Sequence, residues 1–351
     1  MVPVAPIRLI LGILLCFFSG QVCVAKALEQ TAEPNAYEQG LSHLKKGNLS
    51  QAEKAFREAV EDPATRAEAN HQLSLIYVKR GYWHDGEEAI RQYLETHEQS
   101  AEGYFVLGFC LFRQGKYQAA AEALGTSLKI ESNHPETHLI LGLVYFQLKQ
   151  NPEAEKELLA AIQSNPKLSE SHYYLGRIYH DSNRYELAKR SFESAIQLNP
   201  QSIEAYDSLG LSLEALGQLD KAQNSFKKAI ELNELSKAKF KWPYLNLGEL
   251  LLKQKQYAES IPYFEKALLV SPSWAKAQFS LGKALLQLGK LEEAKEQFVS
   301  ASQSDPYYAD PHEQLGQIYL QLGKKKAAEK ELKLYKKIKD KPRPPPLLPG
   351  W

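Results

Sequence analysis

The sequence predicts an all-α fold, a solenoid of about nine stacked helix-turn-helix units. Three observations carry this. A small residue recurs every 34 positions at Gly40, Ser74, Gly108, Gly142, Gly176 and Gly210. After one step of 248 − 210 = 38, Gly248, Gly282 and Gly316 resume the period. Apolar residues around each of them keep helical spacing, and turn residues punctuate every copy at fixed places. One helix pair cannot bury its apolar face alone, so such copies must stack.

Each element follows from its residues. Leu precedes the small position in eight copies, from Leu73 to Leu315, and a ring or Leu often stands three residues after it, as at Tyr77, Tyr145 and Leu213. Gly47, Gly81, Gly115, Gly217, Gly289 and Gly323 fall where the first helix of a copy must stop in a left-handed residue. The second helix carries a small residue, then a bulky one, then Ala, as in Ala222, Phe226 and Ala229. Pro166, Pro200, Pro272 and Pro306 close several copies, because proline lacks an amide donor and restricts the residue before it.

The ends read differently. Residues 1–27 place Arg8 before an apolar run from Leu9 to Phe18, with small residues at Ala25 and Ala27. This order is that of a secretory signal segment. Retained to Ala25, the same run becomes an N-terminal membrane anchor. Cleavage would leave Cys110 as the only cysteine, a buried and inert thiol, and no internal disulfide. From Lys324 to Arg343 ten Lys or Arg face three Asp or Glu. That segment reads as a solvated capping helix, or as a surface drawn to anionic lipid or an acidic partner. The Pro-rich stretch 340–351 is expected to be extended.

Composition removes several classes of function. The 43 Lys and Arg against 42 Asp and Glu leave +1, so nothing in the overall charge calls for a nucleic-acid partner. No phosphate-cradling loop, zinc-type Cys/His spacing or nucleophile elbow is present, and His134 and His138 are separated by Pro135. No cofactor and no metal are expected.

The Leu-Gly pair, the ring three residues later, the Ala, the Phe and the closing Pro resemble the pattern of tetratricopeptide-repeat proteins, exported bacterial members included, over residues 33–339. The first copy departs from it with Gln39 and His43, and the second with Ser74 and Tyr93. The resemblance implies a right-handed superhelix whose first helices line a concave groove through their second, fifth, ninth and twelfth positions. Those positions offer Phe105, Phe109, Phe112, Leu139, Leu143 and Phe146, then Tyr173, Arg177, His180, Asp207, Glu214 and Glu249. An apolar strip beside a polar one suits a peptide or a partner helix, although the rings also suit packing between copies. The fifth positions hold no Lys and the ninth no Asn, so the carboxylate clamp of cochaperone relatives is not expected.

A four-residue insertion near 233–242 brings Phe240 and Trp242 to one edge, as a longer turn that covers the next helix or as a weaker candidate hot spot. The expected function is a non-catalytic scaffold that binds a protein or peptide partner in the assembly of an envelope or secretory complex, in the periplasm or secreted. The alternative is a membrane-tethered accessory subunit. A carbohydrate-acting enzyme would need a carboxylate pair, for which Asp207, Glu214 and Glu249 are the candidates.

Overall fold

The computed structural model describes residues 34–340, so the signal or anchor segment 1–27 and all but the first residue of the tail 340–351 lie outside the described residues. Among these residues the chain forms 18 α-helices, and it divides into two compact units between Ser182 and Asn183.

In the first unit, helices pair through short turns into four antiparallel hairpins. They are α1 (Ala36–Lys45) with α2 (Leu49–Ala59), and α3 (Arg66–Arg80) with α4 (Trp83–Leu94). Next come α5 (Ala101–Arg113) with α6 (Tyr117–Ile130), and α7 (Pro135–Gln147) with α8 (Asn151–Ser164). Helix α9 (Ser169–Asp181) follows and packs on α8.

The second unit opens with α10 (Tyr185–Leu198), packed on α11 (Ile203–Ala215), which pairs with α12 (Leu219–Leu235). Three more hairpins follow: α13 (Trp242–Lys253) with α14 (Tyr257–Val270), α15 (Ala275–Gln287) with α16 (Leu291–Ser304), and α17 (Asp310–Gln321) with α18 (Lys325–Lys339). Helices α9 and α10 are the two helices of the fifth copy in sequence, and the division falls in the turn that joins them.

Local chemistry explains the boundaries. Asn35 accepts a hydrogen bond from the Glu38 amide at 2.9 Å while the Glu38 carboxylate accepts from the Asn35 amide, a reciprocal capping box. Ser100 and Ser202 cap α5 and α11 by accepting from the amides of Gly103 and Ala205. The six glycines expected to stop first helices all have positive φ, Gly81 at 81° for example. Lys149, Asn183 and Lys255 adopt the same left-handed turn at 63°, 57° and 62° without glycine.

The recurrent small position sets the distance between the two helices of a hairpin. A Cβ built on Gly248 would stand 2.6 Å from Phe264 Cε1, and one on Gly282 2.7 Å from Phe298 Cε1. No real side chain fits there, so the first helix comes up against the ring of the second. Phe56, Phe192, Phe226, Phe264 and Phe298 are fully buried as the bulky member of their copies.

Candidate functional site

Within each unit the first helices of successive copies touch: α3 with α5, α5 with α7, and α7 with α9 in the first, α11 with α13 and α13 with α15 in the second. In each unit they form a wall on which the expected groove positions can be located.

The apolar candidates of that expectation are buried. Phe105, Phe109 and Phe112 are 2%, 2% and 6% exposed, and Leu139, Leu143 and Phe146 are 0%, 2% and 4% exposed. Phe105 stacks on Phe109 and Phe112 meets Tyr117 within their own copy, and three of the rings also reach other copies. Trp83 meets Phe109 edge-on with centroids 5.9 Å apart, Phe105 lies 5.4 Å from His134, and Phe146 lies 6.1 Å from Tyr174. These rings are buried in packing within and between copies. The signal was in the sequence: α5 and α7 are apolar nearly all round, and such a helix is buried on every side.

More polar members are easier to reach in the first unit. Tyr173 and Arg177 are half-buried. The Arg177 guanidinium lies 4.9 Å from the Phe146 ring centroid, and Lys149 Nζ lies 5.4 Å from it on α7's C-terminal turn. His180 sits 3.9 Å from the carboxylate of Asp181. The second groove positions of successive first helices hold Glu68, Glu102, Glu136 and Glu170, each 34 residues from the last. Every one stands in the first turn of its helix, where a carboxylate favours the positive end of the helix dipole. Glu68 pairs with His97 Nε2 at 3.4 Å and Glu102 with His71 Nε2 at 3.5 Å. Helix-start chemistry thus also makes one edge of the wall acidic.

In the second unit the acidic candidates are all engaged. Asp207 is buried and accepts a hydrogen bond from Asn246 Nδ2 at 2.9 Å. Burial pushes its carboxyl up to about 7, with the Asn246 bond opposing and nearby Glu204 reinforcing the rise. Glu249 accepts from Ser280 Oγ at 3.1 Å and pairs with Lys276 at 3.2 Å, while Glu214 pairs with Lys253. Each carboxylate therefore has a structural partner of its own.

The insertion is built as a lock. Asn233, 1% exposed, donates through Nδ2 to the Phe240 carbonyl at 2.8 Å and accepts the Phe240 amide at 3.2 Å. Phe240 packs against Ile203, Ala229 and Leu232. Trp242 meets Trp274 edge-on at 4.9 Å, and Lys241 Nζ lies 4.3 Å from the Trp274 ring while donating to Ser271 Oγ. Both candidate hot-spot rings are half-buried, Phe240 against the sixth copy and Trp242 against Trp274 at the start of the eighth.

Cys110 is buried, and desolvation pushes its thiol up to about 12, so it stays protonated and unreactive. His134 caps α7 by accepting the Thr137 amide, and His138 Nδ1 lies 2.7 Å from Glu157. Among the described residues no group of three or more potential metal-ligating side chains exists, and no helix is long and apolar enough to cross a membrane.

In each unit, stacked helix hairpins whose first helices touch define a helical-repeat scaffold. Family models described as tetratricopeptide repeat, or TPR repeat, match residues 176–217, 203–234, 242–306 and 279–341. A model described as anaphase-promoting complex, cyclosome, subunit 3 matches residues 87–161. The chain is a tetratricopeptide-repeat protein, and its repeat fold is that of a non-catalytic, protein-binding scaffold.

Solved structures share the fold. A tetratricopeptide repeat protein from Parabacteroides merdae is 20% identical with a TM-score of 0.55, covering 77% of this chain and 98% of its own. PilF of Pseudomonas aeruginosa is 20% identical with a TM-score of 0.52, covering 60% and 93%. A chain of the APC/C hetero-tetramer Cut9–Hcn1 is 17% identical with a TM-score of 0.54, covering 86% and 60%. No curated protein matches the chain.

Proposed function

We propose that the protein holds a peptide or partner helix against its wall of first helices and serves as an assembly scaffold in an envelope or secretory complex. The observation that carries this reading is the polar edge of the first unit, where Tyr173, Arg177 and the row Glu68, Glu102, Glu136 and Glu170 remain reachable. Phe105, Phe109, Phe112, Leu139, Leu143 and Phe146 act behind that edge by fixing helix spacing. In the second unit Asp207 shapes the wall from within and Glu249 is its half-buried carboxylate. A partner segment with basic side chains complements the carboxylates of the first unit's edge.

Export rests on residues 1–27, with a periplasmic or secreted product after cleavage. The second reading, a tethered accessory subunit, rests on the same apolar run retained as an anchor. Intact mass of the purified protein separates the two, since a mature start near Lys26 or Leu28 removes the anchor.

In-cell cross-linking with mass spectrometry identifies the partner. Capture of that partner is then compared between the wild type and a Glu102→Lys, Glu136→Lys, Arg177→Glu variant. Loss of capture with an unchanged melting temperature supports the assignment of the wall. Undiminished capture moves the partner to another surface.

A further inference from the structure

The last described helix differs from every comparable helix of the chain. Second helices elsewhere carry both signs on their solvent side: α8 has Glu153, Glu155, Lys156 and Glu157, and α16 has Glu292, Glu293, Lys295 and Glu296. Helix α18 buries Ala328 and half-buries Glu331, Leu332 and Tyr335. At 100° per residue its remaining arc gathers Lys325, Lys326, Lys330, Lys333, Lys336 and Lys337, with Glu329 alone among them. All six lysines are exposed, and among the described residues none forms an ion pair. The nearby Glu331 is taken by His312 Nδ1 at 2.6 Å. The stripe runs along about 18 Å of helix.

The chemistry of the stripe selects its partner. Specific protein interfaces favour Arg and aromatic anchors and are depleted of Lys, yet α18 contains no Arg. Lysine is a compact, strongly hydrated point charge, suited to a diffuse field and not to fixed bidentate recognition. An anionic bilayer surface responds to just such a density of four to eight cations. Ala327, Leu334 and Ile338, all half-buried, border Lys330 and Lys337 on the helical wheel. An apolar strip along a cationic stripe suits the boundary between headgroups and acyl chains, and a nucleic-acid backbone offers it nothing.

We propose that the outward face of α18 docks this protein onto an anionic phospholipid surface through its lysine stripe. The inference is independent of the partner reading, because it uses the solvent side of a second helix and none of the wall.

The test is sedimentation of the full chain with vesicles of zwitterionic lipid alone or with roughly one-third phosphatidylglycerol. The N-terminal apolar run contributes equally to both lipids, so the readout is the ratio between them. The expected ratio is at least about tenfold and collapses toward one at about 0.5 M salt. Lys330→Glu, Lys333→Glu and Lys337→Glu together should abolish the preference with an unchanged melting temperature. The same reversal at Lys221, Lys227 and Lys239, exposed lysines of α12 and the insertion, should lower it less than about twofold. Equal sedimentation with both lipids overturns the proposal, as does a preference that survives the α18 reversal. Tight capture of an acidic peptide or of single-stranded RNA by the stripe, without lipid preference, also overturns it.

Discussion

Lys116 donates through Nζ to the Glu87 carboxylate at 2.9 Å, tying α4 to the turn that begins α6 in the next copy. Gln114 donates to the same oxygen at 2.8 Å and also to the Trp83 carbonyl, while Arg91 holds the other oxygen at 2.9 Å. Burial pushes the Glu87 carboxyl up, but the bonds from Lys116, Arg91 and Gln114 outweigh it and hold it at about 2. The folded value lies below the unfolded one of 4.5, so the staple's stability is present above pH 4.5 and lost as pH falls toward 2. Glu87→Gln is expected to cost about 1–3 kcal/mol at pH 7 and little at pH 2.5. Urea melts at the two pH values check this, and equal losses at both would remove the electrostatic account.

Asp207 behaves in the opposite sense. Its folded value of about 7 lies above the unfolded 3.8, so folding takes up a proton between those values. The stability it permits is full below pH 3.8 and is lost as pH rises through 7. Asp207→Asn keeps an acceptor for Asn246 and removes the buried charge. It should stabilise by about 2 kcal/mol at pH 8 and have little effect near pH 4. Thermal melts across that range decide, and a uniform change at all pH values argues against the buried carboxyl as cause.

Gly248 lets α13 reach the Phe264 ring of α14. Gly248→Ala should cost about 1–3 kcal/mol by overpacking. The second copy carries Ser74 at the equivalent place, with Ile90 as its bulky partner. Adding Phe264→Ile to Gly248→Ala should therefore give a favourable coupling in a double-mutant cycle, and additive losses would contradict the close approach.

Lys255 occupies the left-handed turn after α13 that glycine fills in most copies. Lys255→Gly should stabilise by about 0.5–1 kcal/mol through relief of the Cβ clash. A rise in the urea midpoint with an unchanged slope is the expected record.

Asn233 holds the insertion by mimicking a backbone partner for Phe240. Asn233→Ala should cost about 1–3 kcal/mol because it removes the partner of the Phe240 carbonyl and amide. Partner capture at temperatures where the variant remains folded should be unaffected. Lost capture in a fully folded sample would return Phe240 and Trp242 to the binding surface.

Much of this architecture was legible because its determinants are short-range and periodic. The 34-residue step, the glycine turns and the Gly–Phe pairs each follow from residue type at a fixed spacing. What escaped depends on more than type. Lys149, Asn183 and Lys255 enter a left-handed turn because their copies impose it, and nothing in a lysine announces that. Asn233 escaped because its partner is a main-chain pair seven residues on. The phenylalanines of α5 were placed by position within the copy, while their burial depends on how near the neighbouring first helices come. Glu68, Glu102, Glu136 and Glu170 recur in the sequence at the second groove position, while their pairing with His97 and His71 depends on how the copies stack.

The glycine-on-ring contact has a consequence for how such a protein can change. Where it occurs, as at Gly40, Gly210, Gly248 and Gly282, it anchors the hairpin from the inside, so the outward side chains are decoupled from those that set the helix spacing. Selection can rewrite the outer chemistry of one copy, as the lysines of the final helix illustrate, while the spacing of its neighbours stays as it was.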